Sequence, residues 1–341
     1  MGANRNNSLV DRARGIALLG LMGLAGVAQG FDLQGHRGAR GLMPENTLPA
    51  FAKALSIGVT TLELDLATTK DGAVVVIHNP RFEPELARTP EGDWLHQSSP
   101  AIHSMTLDQV KSYDVGRLNP ASQYAQHYPD QQSVDGARVP TLDEVFELVN
   151  RAGNKVVRFN LEIKINPDVP ELSLAPRAFV QTVLEVIRRN QMESRVVLQS
   201  FDWRALQQAR YLAPEISTAY LTVSQSWLDN LQIGKPGPSP WMSGFDVDDF
   251  DASAARAIKA AGGVIWSPYH AEVSVESIRL AHQLGLLVNV WTVNDPTRMR
   301  ELVEMGVDGI ITDYPDRLRL VLEASGLPLP APTPVRWLVG D

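Results

Sequence analysis

Cysteine is absent from the 341 residues of this sequence. Catalytic thiols, zinc–thiolate sites and disulfides are therefore excluded. Runs of Lys or Arg are also missing and the net charge is −8, which argues against a nucleic-acid partner. No G-x-G-x-x-G segment occurs, so the usual sign of a doubly wound dinucleotide-binding sheet is missing as well.

The bulk composition is that of a globular protein, with 44% hydrophobic and 21% charged residues. A chain of this length buries roughly three quarters of its unfolded surface, so it needs no structural metal or disulfide to fold. An anionic small substrate is compatible with the net charge, because a cation bound in a cleft can invert the local field.

The N-terminal segment has the pattern of a secretory signal peptide. Arg12 and Arg14 precede an apolar run over residues 16–28, and the run ends with small residues. It is shorter than the roughly 20 residues that span a bilayer. We therefore expect residues 1–28 to be removed and the protein to be periplasmic or secreted. No stable membrane anchor is expected after cleavage.

Short apolar strands alternate with amphipathic helices along the rest of the chain, which predicts an α/β fold and, at this length, a (β/α)8 TIM barrel. Nine strand candidates compete for eight places. The connection from Leu66 to Gly72 is too short for a helix, so one candidate is either a return strand or a strand outside the barrel. The predicted helices include Leu48–Ile57, Leu142–Ala152, Trp203–Leu212 and Pro296–Met305.

The predicted barrel domain covers residues 29–325. Residues 79–138 interrupt the alternation and are rich in Pro, Gly, Asn and Gln, which predicts a small insertion after the third strand. Residues 326–341 form a Pro-rich C-terminal tail. The sequence leaves the oligomeric state open.

Polar side chains cluster where the first four predicted strands end. The chemistry of a parallel barrel lies at the carboxyl ends of its strands, so these side chains are expected to converge there. Each pattern is weak by itself, but their succession in order is not. The strand ends carry His36-Arg37-Gly38, Glu63-Leu64-Asp65, His78 and Glu162-Ile163-Lys164.

Three carboxylates brought together repel one another unless a cation lies among them. Oxygen ligands select a hard ion, so one divalent cation, Ca²⁺ or Mg²⁺, is expected. Arg37, Lys164 and the metal would then hold an anion, and phosphate suits all three. The two histidines, His36 and His78, titrate near neutrality, so one can take a proton while the other gives one.

With these motifs the chain resembles the glycerophosphodiester phosphodiesterase family, which shares its barrel with the phosphatidylinositol-specific phospholipases C. The resemblance runs from His36 to about Pro315. Besides the four strand-end motifs above, it rests on Pro44-Glu45-Asn46-Thr47, Gln199-Ser200-Phe201, Trp291-Thr292-Val293-Asn294 and Thr312-Asp313-Tyr314-Pro315.

The resemblance implies a small-molecule glycerophosphodiester substrate, hydrolysed to sn-glycerol 3-phosphate and an alcohol. It implies that Glu63, Asp65 and Glu162 bind the metal, and that His36 and His78 are the general acid and base. Arg37 and Lys164 are then expected to bind the phosphate, and Glu45 and Trp291 to line or support the pocket. One residue departs from the family pattern: Asn79 stands where Asp is usual.

Two alternatives stay open. The first is a phospholipase-like enzyme acting on lysolipids or other lipid phosphodiesters, which would require an apolar rim or an amphipathic membrane element. No clear one is visible in the sequence. The second is a non-catalytic phosphodiester-binding protein, which only Asn79 favours. The sequence also does not decide whether water or a neighbouring substrate hydroxyl attacks the phosphorus.

Overall fold

The computed structural model describes residues 30–335. The predicted signal peptide and the last six residues of the predicted tail lie outside this range. Its strands are β1 Asp32–Gly35, β2 Thr61–Thr68, β3 Val74–Val76, β4 Arg158–Ile163, β5 Val196–Ser200, β6 Ser217–Thr222, β7 Ser224–Gln225, β8 Leu228–Asp229, β9 Ile265–Pro268, β10 Leu287–Val290 and β11 Gly309–Thr312.

Eight of these strands form a closed parallel barrel, which confirms the predicted (β/α)8 fold. They follow one another around it in the order β1, β2, β4, β5, β6, β9, β10 and β11. The barrel closes because β1 pairs in parallel with both β2 and β11; for example, Gly35 lies opposite Thr312. The carboxyl ends of all eight strands therefore open on one face.

All of the described helices except the second and third cover the outside of the barrel, and they begin largely where local signals predict. The helices are α1 Leu48–Ile57, α2 Leu107–Ser112, α3 Gln123–Gln126, α4 Leu142–Arg151, α5 Pro176–Arg189, α6 Trp203–Leu212, α7 Ala254–Ala260, α8 Val275–Gln283, α9 Pro296–Met305 and α10 Pro315–Ala324. The capping box between Thr141 and Glu144 is present at the start of α4. No helix among the described residues is both long and apolar enough to cross a membrane.

The alternation of residues along the strands divides the barrel into an apolar outer face and a polar interior. Leu64, Leu161 and Leu198 lie in the large apolar cluster that also contains helix residues such as Phe146 and Phe179. The residues between them point inward. The strand register places Asp65 opposite Glu162, and Glu162 opposite Gln199. The acidic residues of neighbouring strands therefore lie side by side near the open face.

The third strand differs from the prediction. β3 does not belong to the parallel barrel but pairs antiparallel with the end of β2, with Leu66 opposite Val76. The expectation that His78 ends a parallel strand is therefore wrong. The short turn after Thr68 sends the chain back along β2, and the backbone N–H of Ile77 donates to the Asp65 carbonyl at 2.9 Å. His78 reaches the same site by this return path.

The insertion 79–138 follows β3 and contains α2 and α3. A second, small apolar cluster joins it to β3 and to the segment that follows it, and consists of Val75, Phe82, Ala87, Ile102, Met105, Val110 and Val139. The described part of the tail packs on the barrel, where the backbone N–H of Thr333 donates to the Leu55 carbonyl at 2.8 Å.

Candidate active site

The loop after β1 is folded by left-handed backbone conformations. Arg37, Gly38 and Asn46 have φ values of 49°, 85° and 55°. A Cβ on Gly38 would lie 2.7 Å from the backbone carbon of Ala50, so only glycine fits between this loop and α1. The fold of this loop directs the Arg37 backbone N–H to Glu63 at 3.0 Å and the Asn46 side-chain amide to Asp65 at 2.8 Å.

Glu63, Asp65 and Glu162 form a buried carboxylate cluster. One oxygen from each lies within 4.8 Å of the others. The three residues are at most 6% exposed. Asp65 Oδ1 is buried and has no hydrogen-bond partner in the described structure, which is rare for a carboxylate oxygen. The donor set, and a buried oxygen that accepts no hydrogen bond, both fit a divalent cation with oxygen ligands.

Two cations face this cluster. Lys164 Nζ lies 2.7 Å from a Glu162 oxygen and 3.2 Å from Asp65 Oδ1. Arg37 binds Glu45 at 2.6 Å and approaches Asp65 at 3.2 Å. The three clustered carboxylates and Glu45 thus oppose two positive side chains. The remaining excess of two negative charges is the amount that one divalent cation would balance.

The same crowding shifts the carboxyl pKa values. Burial, together with the negative charges of Asp65 and Glu162, raises the pKa of Glu63 well above its usual range. Burial also raises the pKa of Glu162 to about 7, although Lys164 opposes the shift. At Asp65 the effect of burial is outweighed, chiefly by Lys164, and its pKa lies well below the usual range. A bound cation would oppose the upward shifts of Glu63 and Glu162.

His36 is held by an aspartate of the Thr312-Asp313-Tyr314-Pro315 motif, for which the sequence predicted no role. Asp313 follows β11, is fully buried, and accepts from His36 Nδ1 at 2.6 Å. Arg40 donates to both oxygens of Asp313, at 2.8 and 3.0 Å, so the carboxylate is ionised and its pKa is strongly lowered despite burial. An ionised carboxylate only accepts, so the His36 proton lies on Nδ1 and Nε2 faces the site.

His78 is positioned in a similar way by a neutral partner. Its Nδ1 lies 2.6 Å from Asn79 Oδ1. Burial, assisted by Arg37 and Lys164, lowers the pKa of His78 well below its usual range. Burial and Arg40 lower the pKa of His36 to about 4, although Asp313 raises it. A bound phosphodiester anion would oppose the contribution of the arginines and the lysine to both shifts.

The insertion contributes a residue that sequence reasoning did not identify as part of the site. Tyr124, on α3, donates its hydroxyl to Glu45 and accepts from Arg40 at 3.1 Å. Glu45 itself binds Arg37. Glu45 therefore lies behind the arginine and links the insertion to the barrel.

A buried amide chain supports Glu63 from below. Gln199 donates to Glu63 at 2.8 Å, and Asn160 donates to the amide oxygens of both Gln199 and Gln34, at 2.8 and 2.9 Å. Of these three amide residues, only Gln199 belonged to a motif noted in the sequence, Gln199-Ser200-Phe201. For Asn160 and Gln34 the sequence offered no sign of a role in the site other than an inward-facing position on a strand.

A cavity of about 550 Å³ opens from the site and has Trp291 on its wall. His36, Arg37, His78, Glu63, Glu162 and Lys164 line one end. Much of the remaining wall is apolar and includes Val169, Leu172, Phe201, Leu221, Trp227, Leu228 and Trp241. The sequence showed no clear apolar rim because separate loops supply these side chains.

Comparison with known proteins shows the relationship of the whole chain. A model of the glycerophosphoryl diester phosphodiesterase family matches residues 36–317. A glycerophosphodiester phosphodiesterase of Caldanaerobacter subterraneus is 28% identical over 291 residues, covering 85% of this chain and 97% of that protein.

Solved structures that resemble this chain have the same fold. A Silicibacter pomeroyi protein, provisionally named a glycerophosphoryl diester phosphodiesterase, is 38% identical with a TM-score of 0.77, covering 88% of this chain and 95% of that one. An Oleispira antarctica phosphodiesterase, solved with the product sn-glycerol-3-phosphate, has a TM-score of 0.61 at 22% identity, covers 85% of this chain and 96% of that one, and supports the fold.

Proposed function

This chain belongs to the glycerophosphoryl diester phosphodiesterase family, and on that premise we propose that it hydrolyses glycerophosphodiesters to sn-glycerol 3-phosphate and an alcohol through a metal-dependent, two-histidine mechanism. The observation that carries the proposal is the arrangement around one cavity. Two histidines, Arg37, Lys164 and two members of the buried carboxylate cluster, Glu63 and Glu162, all line it.

Glu63, Asp65 and Glu162 would hold the divalent cation, Ca²⁺ or Mg²⁺. The Asp65 oxygen that accepts no hydrogen bond and the excess of negative charge support this assignment. When bound, the ion would act as a Lewis acid toward a phosphate oxygen. Lys164 and the free part of the Arg37 guanidinium would bind the other charged oxygens and stabilise the charge that develops on them.

His36 and His78 would move the protons. Each histidine keeps Nδ1 against an oxygen acceptor, Asp313 for His36 and Asn79 for His78, which leaves Nε2 for the substrate. One would take the proton of the attacking oxygen, and the other would give a proton to the leaving oxygen. General acid–base help of this kind is typically worth about 10²–10⁴-fold.

The test is release of glycerol 3-phosphate from glycerophosphocholine. The purified protein is stripped of metal and then resupplied with Ca²⁺ or Mg²⁺. We expect activity only with metal, and its loss in His36→Ala and His78→Ala. His282→Ala is the matched control, because His282 pairs with Asp308 at 2.9 Å and does not line the cavity.

The outcomes separate the proposed enzyme from a binding protein. Full activity without metal would refute the assigned role of the carboxylate cluster. Binding of glycerophosphocholine without turnover by the unmodified protein, with either ion, would favour a non-catalytic role. Equal loss of activity in His282→Ala would mean that the assay reports folding and not the chemistry of the site.

We further propose that the protein is exported, to the periplasm or outside the cell. The support is the basic and apolar pattern of residues 1–28, which lie outside the described residues. N-terminal sequencing of the protein from cell fractions tests the proposal. We expect a new terminus near residue 29 in the extracytoplasmic fraction, and a protein retained in the cytoplasm with its first residues would contradict it.

A further inference from the structure

The insertion meets the candidate active site at α3, and the segment around this helix is held on both sides. Before the helix, the backbone N–H of Asn119 donates to the Glu85 carbonyl at 2.8 Å. After it, the Gln131 side-chain amide donates to the Arg40 carbonyl at 2.7 Å. The ring of Tyr128 also lies against the Arg40 guanidinium, whose central carbon is 4.9 Å from the ring centroid. The segment is therefore fixed on the loop that follows β1.

Tyr124 connects α3 to the charged residues of this loop, and the proton of its hydroxyl has a fixed direction. Arg40 can only donate, and its Nη1 lies 3.1 Å from the Tyr124 oxygen. The O–H bond therefore points to Glu45, whose carboxylate accepts it. Burial, together with the charge of Glu45, raises the pKa of Tyr124, so the hydroxyl keeps the proton that it donates.

Glu45 joins Tyr124 to Arg37. One oxygen of Glu45 accepts from Tyr124, and the other accepts from Arg37 Nη1 at 2.6 Å. Burial opposes ionisation of Glu45, but the charge of Arg37 and the hydrogen bond from Tyr124 help to outweigh it, and the pKa of Glu45 lies below its usual range. Because both oxygens are bonded, the carboxylate cannot turn without losing a partner. Arg37 thus has an ionised partner in a fixed position.

Arg37 borders two cavities, which is why a restraint on its position matters. One is the cavity of about 550 Å³ that contains the candidate active site. The other, of about 610 Å³, lies between the insertion and the barrel and is bordered by Tyr124 as well. Glu83 and Glu85 line this second cavity and would attract an arginine that turned away from the candidate active site. The bond from Arg37 to Glu45 opposes that movement.

We propose that Tyr124 is a positioning residue: it fixes Glu45, and Glu45 in turn holds Arg37 in place to bind the phosphate. The insertion then takes part in catalysis through a residue that acts on the substrate by way of Arg37. The inference rests on the proposed function and adds a residue to it, while the bonds that form and break during hydrolysis are unchanged.

The experiment measures hydrolysis of glycerophosphocholine by metal-loaded Tyr124→Phe, which keeps the ring and loses the hydroxyl. We expect kcat/KM to fall about 10- to 100-fold, the range for lost hydrogen bonds to charged groups. Tyr113→Phe is the matched control, because Tyr113 also belongs to the insertion, stacks on Phe82 and lines neither cavity. It should change kcat/KM by less than about twofold. Unchanged kcat/KM in Tyr124→Phe, or an equal loss in Tyr113→Phe, would overturn the proposal.

Binding of inorganic phosphate reports on Arg37 without requiring turnover. It is measured by calorimetry with the metal-loaded protein, after circular dichroism has confirmed that each variant is folded. We expect Tyr124→Phe to weaken binding about 3- to 10-fold, and Glu45→Gln to weaken it at least as much. Unchanged affinity in both variants would overturn the proposal. Weaker binding in both, with no turnover by the unmodified protein, would support the restraint on Arg37 and refute the proposed hydrolysis.

A double-mutant cycle separates positioning from a general effect on packing. The amide in Glu45→Gln has one acceptor oxygen, so it cannot accept from both Arg37 and Tyr124 as the carboxylate does. With that connection already broken, adding Tyr124→Phe should lower kcat/KM by no more than about threefold. A further loss of about 10- to 100-fold in the Glu45→Gln background would mean that Tyr124 acts through packing, and it would overturn the proposal.

Discussion

Replacing Asp313 by Asn removes one charge at the point where His36 is held. The carboxylate accepts from His36 Nδ1 and Arg40 Nε through one oxygen, and from Arg40 and Asn294 through the other. An amide offers a single acceptor oxygen. If that oxygen faces His36, the NH₂ group meets donors from Arg40 and Asn294. If the NH₂ group faces His36, Nδ1 must become an acceptor and the proton moves to Nε2.

Both orientations impair catalysis by His36. The Asp313 charge raises the pKa of His36, so its loss lowers a pKa that is already about 4. The imidazolium becomes harder to form, whether His36 acts as acid or base. Loss of an orienting carboxylate beside a catalytic histidine costs up to about 10⁴-fold in kcat, and we expect a loss of about 10²–10⁴-fold here. Arg40 loses its ionic partner, which lowers the free energy of unfolding by up to about 3 kcal/mol.

The assay measures kcat and KM across pH for Asp313→Asn, with circular dichroism to confirm that the variant is folded. We expect kcat to fall much more than KM changes, with a shifted pH profile. Asp308→Asn is the matched control, since Asp308 pairs with His282 at 2.9 Å and lies at the start of β11, away from the site. The reasoning is refuted if folded Asp313→Asn keeps kcat within about threefold, or if Asp308→Asn loses as much.

Three further predictions concern the same site. Asn79→Asp places a charge against His78 Nδ1 and should raise the pKa of His78; its limb of the kcat–pH profile should move to higher pH, and an unmoved profile would contradict this. In the protein kept metal-free by a chelator, the pKa of Glu162 is raised from 4.5 to about 7. The contribution of Glu162 to stability is therefore present below pH 4.5 and is lost as the pH rises through 7. Urea titration should therefore show that Glu162→Gln has a higher free energy of unfolding than the unmodified protein, by a difference that grows across this pH window to at most about 3 kcal/mol. Added Ca²⁺ or Mg²⁺ should reverse the difference. A difference that is independent of pH would count against the pKa shift. Gly38→Ala should cost about 2–3 kcal/mol by thermal unfolding, against about 1 for Gly72→Ala. Gly72 has the same φ of 85° with open space around it, so equal costs would show that crowding is not the cause.

Local signals in the sequence predicted the helices well. α1, α6 and α9 begin and end at the residues predicted from apolar periodicity, and α4 ends one residue early. The start of a helix depends on a cap and on a proline or an apolar residue within one turn, all of which can be read from neighbouring positions. The same is true of the alternation that turns Glu63 and Asp65 to one side of β2.

The direction of β3 could not be predicted in this way. A strand of three valines after a short turn pairs with whichever edge the fold offers, and here it folds back on β2. The short connection after Leu66 was compatible with a return strand, but His78 was predicted at the end of a parallel strand. His78 nevertheless reaches the cavity, because β3 runs down beside Asp65.

The class of fold, the acidic cluster and the place of the two histidines at strand ends could be read from residue types and their spacing. These follow from residue types at strand ends, and a parallel barrel brings strand ends together whatever the details of packing. The residues that surround them could not be read from the sequence. Asp313 lies 277 positions from His36, Tyr124 arrives from the insertion, and the apolar wall is assembled from separate loops. Such contacts depend on how distant segments pack, and no local pattern in the sequence records that packing.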